Sequence, residues 1–355
     1  MTNTTIHKKI LVAPLNWGLG HATRCIPIID ALQKYGFEPI LAGDGMSLSL
    51  LRQEYPSLPF YELPSTSVEY AKKGSFLKFK LLSQTPKIVK AIALEKTRVK
   101  EIHRKENLTG IISDNRFGLR SDEIPSIYIT HQLKVLSGGT SFISTSLHQK
   151  LISKFDQCWV PDYNSNELAG ELSASSDKSG FVKYIGPLSR FKRKETIKKY
   201  DLLAVLSGPE PQRSLLEAQL LEKLKGFTGK TLLIRGVVED KQIIRNSGNM
   251  TIVNFMLQEE LRDSIESSKL ILSRSGYSNI MDLHALEAKT FFIPTPGQFE
   301  QEYLAKYFKG RGISDYAEQH LFDLDKLHNG TEYMGFGHKK TSNNDFSKSL
   351  FDVFK

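Results

Sequence analysis

Residues 15–24 read LNWGLGHATR and follow the apolar run KKILVAP. A glycine turn between a buried strand and a helix lets backbone N–H groups and the helix dipole come close to a ligand. Gly18 and Gly20 are expected to form that turn, with His21 projecting at its mouth. An imidazole titrating near neutrality suits a general base, although a structural or helix-capping histidine accounts for His21 alone equally well. The full G-x-G-x-x-G dinucleotide signature is absent, because Thr23 holds the third glycine position. Asp44 nevertheless stands about 20 residues further on, where a dinucleotide enzyme has its ribose-binding acid, so that reading stays open. A second constellation lies in residues 273–305, SRSGYSNIMDLHALEAKTFFIPTPGQFEQEYLA. Here a strand ends in Arg274, Ser275 and Gly276, a helix begins near Tyr277 or Ser278, and the next strand ends in a loop with Gln298, Glu300 and Gln301. A glycine-based helix start for an anion, beside carboxylate and amide groups for hydroxyls, suits a nucleoside diphosphate carrying a sugar.

These groups need a scaffold that brings strand ends together. Short runs rich in Ile, Val and Leu recur at 10–12, 39–42, 111–113, 126–130 and 158–160, with helix-like segments between most of them, as in a parallel sheet covered on both faces. After the connector VKYIGPLSRFKRKETIKKY (182–200) the pattern restarts with DLLAVLSG, TLLIRGV, MTIVNF, LILSRSG and TFFIPT. The reading is α/β, with two doubly wound lobes facing each other across a cleft and ligands beyond the strand C-termini. In the first helix Cys25, Ile28, Ile29 and Leu32 form a buried face and Gly36 the stop. Pro27 is acceptable only near a first turn, which puts the regular helix start between residues 23 and 26. Residues 330–345 read as a mobile loop before a short terminal helix.

At this point a resemblance becomes specific. The G-x-G-H turn, followed by R-S-G with a downstream acid and then PTPGQFEQ, resembles the two-lobed GT-B glycosyltransferases, and family 28 most, over residues 8 to about 320. It implies two Rossmann-like domains, an acceptor-side domain at 1–185 and a donor domain at 201–330, with a linker at 186–200 and a terminal loop and helix at 331–355. By position, Ser275 and Gly276 would meet the donor diphosphate, Asp282 the ribose hydroxyls, and Glu300 and Gln301 the donor sugar, with Gln298 beside them. LSGPEPQRS (206–214) falls at a phosphate loop and points to Ser207, Gly208 and Arg213. Phe255 and Met256 fall near the nucleobase, with core packing as the alternative. His21 is the expected base, and Asp114, ending the strand GIISD, either orients it or caps the following turn. Arg274 is placed among the diphosphate groups, with a structural role as its alternative. The arrangement requires no metal or other cofactor. Asp323 and Asp325 match a D-x-D pattern but read better as a solvated helix start.

The charge is local. Residues 72–105 hold eleven Lys and Arg against Glu95 and Glu101, so this stretch carries the whole formal excess of +9. Lys72, Lys73, Lys78 and Lys80 interleave with Phe76, Leu77, Phe79, Leu81 and Leu82, which suits either an anionic membrane surface or a solvated helix packed on its own core. Nucleic acid is disfavoured, since no reading module or stacking platform accompanies the charge. Cys25 and Cys158 are too few for a disulfide framework and are expected in the core. No run approaches a membrane span or a signal peptide, so a cytoplasmic protein, peripheral on the inner face of the membrane, is expected. The leading expectation is an inverting, metal-independent hexosyltransferase using a UDP-linked donor and a lipid or glycan acceptor. A nucleotide-sugar hydrolase and a non-catalytic nucleotide-sugar binding protein are the alternatives.

Overall fold

The computed structural model describes residues 8–65, 77–136, 141–194, 196–237, 239–338 and 346–355, with backbone alone for 77–88 and 141–143. Lys72 and Lys73 lie outside the described residues, as do the side chains of Lys78 and Lys80. The chain forms two compact units, one drawn from Met1–Glu69, Lys78–Arg190 and Asn343–Lys355, the other built on Phe191–Ser342.

The first unit is a seven-stranded parallel sheet. In chain order its strands are β1 (Lys8–Pro14), β2 (Phe37–Gly43), β3 (Phe60–Glu62), β4 (Gly110–Asp114), β5 (Ser126–Ile129), β6 (Gln157–Val160) and β7 (Val182–Tyr184). Their spatial order is β3-β2-β1-β4-β5-β6-β7. Helices α1 (Gly20–Lys34), α2 (Gly45–Glu54), α3 (Leu77–Glu106) and α4 (Ser141–Ile152) supply the crossovers. Ile10, Leu11, Val12, Ile111, Ile112 and both cysteines are fully buried, as a sheet covered on both faces requires. The chain terminus packs against this unit, Phe351 lying 5.8 Å from Tyr35, 5.9 Å from Phe37 and 5.8 Å from Trp159 between ring centroids. The Lys8 ammonium donates to the Phe354 carbonyl at 3.3 Å, which sets that terminal turn beside the start of β1.

The second unit repeats the plan with β8 (Tyr200–Val205), β9 (Thr231–Ile234), β10 (Ile244–Ser247), β11 (Met250–Val253), β12 (Ser268–Ser273), β13 (Thr290–Phe292) and β14 (Asp315–Tyr316). Its order is β10-β11-β9-β8-β12-β13-β14, with β10 antiparallel at one edge. The helices are α5 (Gln212–Lys223), α6 (Gln258–Glu266), α7 (Tyr277–Ala285), α8 (Phe299–Gly310) and α9 (Leu324–Asn329). Among the described residues, no helix is long and apolar enough to cross a membrane.

Two expectations need correction. Helix α1 begins at Gly20 and carries Pro27 in its interior, so Gly18 alone, at φ +73°, makes the left-handed turn, while Gly20 and His21 are already helical. The proline costs one backbone hydrogen bond, and a fully buried face of Cys25, Ile28, Ile29 and Leu32 outweighs that loss. Residues 330–338 are also ordered. They form two short 3-10 turns, and Phe336 is buried 5.1 Å from the Phe308 ring; residues 339–345 lie outside the described set.

Candidate active site

In an open α/β sheet a ligand binds beyond the strand C-termini where the connections change direction. In the first unit that point lies between β1 and β4, whose last residues Pro14 and Asp114 are register partners. Asp114 is fully buried and His21, on the first turn of α1, sets Nδ1 3.0 Å from its Oδ1. Arg24, one turn further along α1, donates Nε–H to Asp114 Oδ2 at 2.6 Å and through Nη2 reaches both Asp114 Oδ1 and His21 Nδ1. Residues three apart share a helix face, so the start at Gly20 aims both side chains at one carboxylate. Arg24 went unnoticed in the sequence because a helix starting at 23–26 would not have put it one turn after His21.

The electrostatics follow. Burial would raise the Asp114 carboxyl, but Arg24 and His21 outweigh it and bring its pKa to about 2. Burial and then the Arg24 charge lower His21, against the opposing pull of Asp114. The lowered pKa favours the neutral imidazole, whose Nδ1 lies within reach of both Asp114 and Arg24; the tautomer with Nδ1–H donating to Asp114 is the one that frees Nε2 to take a proton.

A second buried ion cluster sits beside the first. Arg116 donates to Asp44 from both terminal nitrogens at 2.8 and 2.9 Å, to Glu95 on α3 at 2.8 Å, and to the carbonyls of Pro14 and Pro64 at 3.2 and 3.1 Å. It ties the ends of β1 and β2 to α3. Asp44, the residue that kept a dinucleotide reading open, is held by this guanidinium and by Asn16 at 3.2 Å. That engagement removes the support for that reading.

In the second unit the connections change direction between β8 and β12. Val205, Ser273 and Phe292 are level across β8, β12 and β13. Gly208 turns the chain after β8 at φ +105°, a conformation that suits glycine, and Ser207 is exposed beside it. Gly276 is the N-cap of α7, whose backbone ladder opens with Ile280 N–H donating to the Gly276 carbonyl at 3.0 Å. The N–H groups of Tyr277, Ser278 and Asn279 precede that bond and face out of the positive end of the helix. Asn279 braces the turn by donating to Ser273 Oγ and the Arg274 carbonyl, both at 2.9 Å.

The remaining candidates divide. Ser275 donates to the Gln301 carbonyl at 2.7 Å, and the Gln301 amide accepts from Thr295 N–H at 2.8 Å and donates to Gln298 at 2.7 Å, so these groups shape the loop before α8. A Cβ on Gly276 would stand 3.9 Å from Gln301 Nε2, which places this amide at the start of α7. Asp282 and Glu300 are half-buried on α7 and α8. Phe255 and Met256 are half-buried after β11, with Met256 sulfur accepting from Ser264 at 3.2 Å. Both arginines are engaged by the protein. Arg274 donates to the carbonyls of Ile293, Pro294 and Gln212 and to Gln319, and Arg213 bridges Glu210 and Glu217, each at 2.6 Å. Asp323 caps α9, accepting from Lys326 N–H at 2.8 Å. Among the described residues, no group of three or more His, Cys, Asp or Glu could hold a metal ion.

Residues 211–350 match the glycosyltransferase family 28 C-terminal domain, a span that holds Gly276, Asp282 and Glu300 and begins after Ser207 and Gly208. The chain is a glycosyltransferase, and its similarity to family 28 rests on this stretch. Two curated relatives agree with that assignment. An uncharacterised glycosyltransferase of Methanopyrus kandleri is 19% identical over 79% of this chain and 84% of its own length. The UDP-N-acetylglucosamine–N-acetylmuramyl-(pentapeptide) pyrophosphoryl-undecaprenol N-acetylglucosamine transferase of Clostridium tetani is 23% identical over 98% of this chain and 96% of its own. Among solved structures, the glycotransferase of kitacinnamycin superposes with a TM-score of 0.66 at 14% identity, covering 92% of this chain and 90% of that one. Acinetobacter baumannii MurG gives 0.59 at 13% identity over 98% and 99%. These similarities establish the GT-B fold of the glycosyltransferase.

Proposed function

We propose that this glycosyltransferase moves a hexose-type sugar from a UDP-linked donor to a hydroxyl of a lipid or glycan acceptor, with inversion and without a metal. The observation that carries the reading is His21, neutral and paired with a buried aspartate at the first switch point. A binding protein has no use for such a base. His21 Nε2 takes the acceptor hydroxyl proton, the acceptor oxygen attacks the anomeric carbon, and the bond from that carbon to the diphosphate oxygen breaks with its electron pair leaving on the diphosphate. A single displacement inverts the anomeric centre. Asp114 stabilises the imidazolium as it forms, and Arg24 positions Asp114. On the donor side, the start of α7 with Ser275, Gly276, Ser207 and Gly208 receives the diphosphate, Asp282 the ribose, Glu300 and Gln301 the sugar, and Phe255 and Met256 the base.

The C. tetani relative acts, by its name, on an undecaprenol-linked acceptor, which supports a lipid-linked acceptor at the cell envelope. A peripheral membrane position also fits α3, whose described part exposes Val89 and Leu94 beside Lys90. Calorimetric titration with UDP, GDP and CDP tests the donor class, and selective UDP binding lost in Asp282→Ala is the expected result. Incubation with UDP-sugars with and without lipid acceptors tests the reaction. Free-sugar release at full rate without any acceptor would replace the transferase by a hydrolase.

A further inference from the structure

Thr295 is a residue that neither the motifs nor the family resemblance singled out. It lies in the loop after β13, is 2% exposed, and its Oγ1 makes no hydrogen bond with any described residue. A buried hydroxyl without a partner destabilises a fold, and a threonine is readily replaced by an isosteric valine where nothing needs the oxygen. The position of this oxygen offers it a use. Gly208, Gly276 and Thr295 each stand three residues beyond the level set by Val205, Ser273 and Phe292, and β12 is the middle strand of the three. A Cβ on Gly208 would come within 3.8 Å of Thr295 Oγ1, so the hydroxyl from β13 faces the glycine turn of β8 across the end of β12, where α7 begins. The Thr295 backbone is fixed as well, because its N–H donates to Gln301 Oε1 at 2.8 Å.

We propose that Thr295 Oγ1 is a ligand for the donor, donating its hydrogen to an oxygen of the phosphate nearer the sugar in a nucleoside diphosphate. This rests on the donor reading given above. The direction along the ligand follows from strand order. The candidate base residues Phe255 and Met256 follow β11, on the far side of β8, whereas Glu300 and Gln301 follow β13 on the Thr295 side. Thr295 therefore belongs to the sugar-proximal phosphate, while the nucleoside-proximal phosphate falls toward Ser207 and Gly208. A hydroxyl, unlike an arginine, adds no charge that would hold the departing diphosphate after transfer.

The test is calorimetry of the full chain with UDP and UMP, on the wild type, Thr295→Val and Thr295→Ser, with thermal melts of each ligand-free protein. Thr295→Val is expected to weaken UDP binding about tenfold, the effect of losing one hydrogen bond to a charged group, to leave UMP binding unchanged, and to melt at a higher temperature without ligand. Thr295→Ser is expected to restore most of the UDP affinity, which identifies the hydroxyl and not the methyl as the operative group. Unchanged UDP affinity in Thr295→Val, with a wild type that binds UDP, overturns the proposal and leaves the donor reading standing. A lower melting temperature together with equal losses for UDP and UMP makes Thr295 a structural residue and also overturns it. A wild type that binds no UDP, GDP or dTDP overturns the donor reading and this inference with it.

Discussion

The two switch points solve opposite problems with the same backbone. In the first unit the strand ends carry buried ions, with Asp114 held by Arg24 and His21, and Arg116 held by Asp44 and Glu95. In the second, the strand ends present glycines, hydroxyls, an amide and a helix start, while Arg213 and Arg274 bond to the protein itself. Moving a proton requires a group of tuned basicity, and only nearby fixed charges tune it. Holding and releasing a diphosphate requires many weak dipoles that need no reorganisation. Under the proposed function the difference divides the labour, with acid–base chemistry in one unit and anion recognition in the other.

The largest effect that can break this division is at His21. His21→Ala is expected to lower kcat by about 10²–10⁴-fold while UDP affinity stays within about twofold, since a donor ligand lost with the side chain would move both. A parallel fall in UDP affinity would place His21 among the donor ligands and dissolve the assignment. Next is the neighbouring cluster. Arg116→Met leaves Asp44 and Glu95 buried without their cation and is expected to lower unfolding stability by about 3–5 kcal/mol. Urea denaturation reads this, and a loss below about 1 kcal/mol would show that the cluster is solvated.

Sequence patterning shows the fold well where strands are central and apolar. β1, β2, β4, β5 and β6, and β8, β9, β11, β12 and β13, all coincide with short apolar runs, most of them of Ile, Val and Leu. The strands that escape it are at sheet edges. β3 is only three residues, β10 is exposed at every position and β14 has two residues, so burial leaves little imprint on any of them. The proposed site drew attention in the sequence where glycine punctuation marks it, as at His21 and Gly276. It was not legible at Arg24, because a proline within α1 obscured the helix start, nor at Arg116, whose partners Asp44 and Glu95 are brought to it only by the sheet and α3. Thr295 carries no signal in the chain, since only the register of β8, β12 and β13 shows what it faces.

A third prediction uses acid. Asp114 has a folded pKa of about 2 against an ordinary 3.8, so the unfolded chain binds its proton first and the stability from this group is lost as pH falls from about 4 to 2. His21, lowered from 6.5, acts in the same direction, because the unfolded imidazole is the better proton acceptor as pH falls below 6.5. The two together predict a stability of about 2 kcal/mol or more lost on acidification, with the loss centred on the first unit. Arg24→Met removes the second cause of the His21 shift, so the acid limb of the kcat profile is expected to move to higher pH. An acid limb that stays in place would exclude Arg24 from tuning the base.

The smallest effect tests the other side of the comparison. Arg213 follows the proposed phosphate loop of Ser207 and Gly208 in the chain, yet its guanidinium bridges Glu210 and Glu217, and Glu217 also accepts from Arg235. Removing Arg213 therefore leaves Glu217 with a cation. Arg213→Met is expected to change UDP affinity by less than about threefold, whereas loss of a charge-assisted bond to a phosphate costs roughly tenfold or more. The salt dependence of UDP binding should be the same in the variant and the wild type, because an arginine that does not touch the diphosphate contributes nothing to that dependence beyond a screened distant field. A tenfold loss that diminishes at high salt would mean that Arg213 leaves its glutamates for the ligand, and the second switch point would then bind its anion with a mobile ion as well as with fixed dipoles.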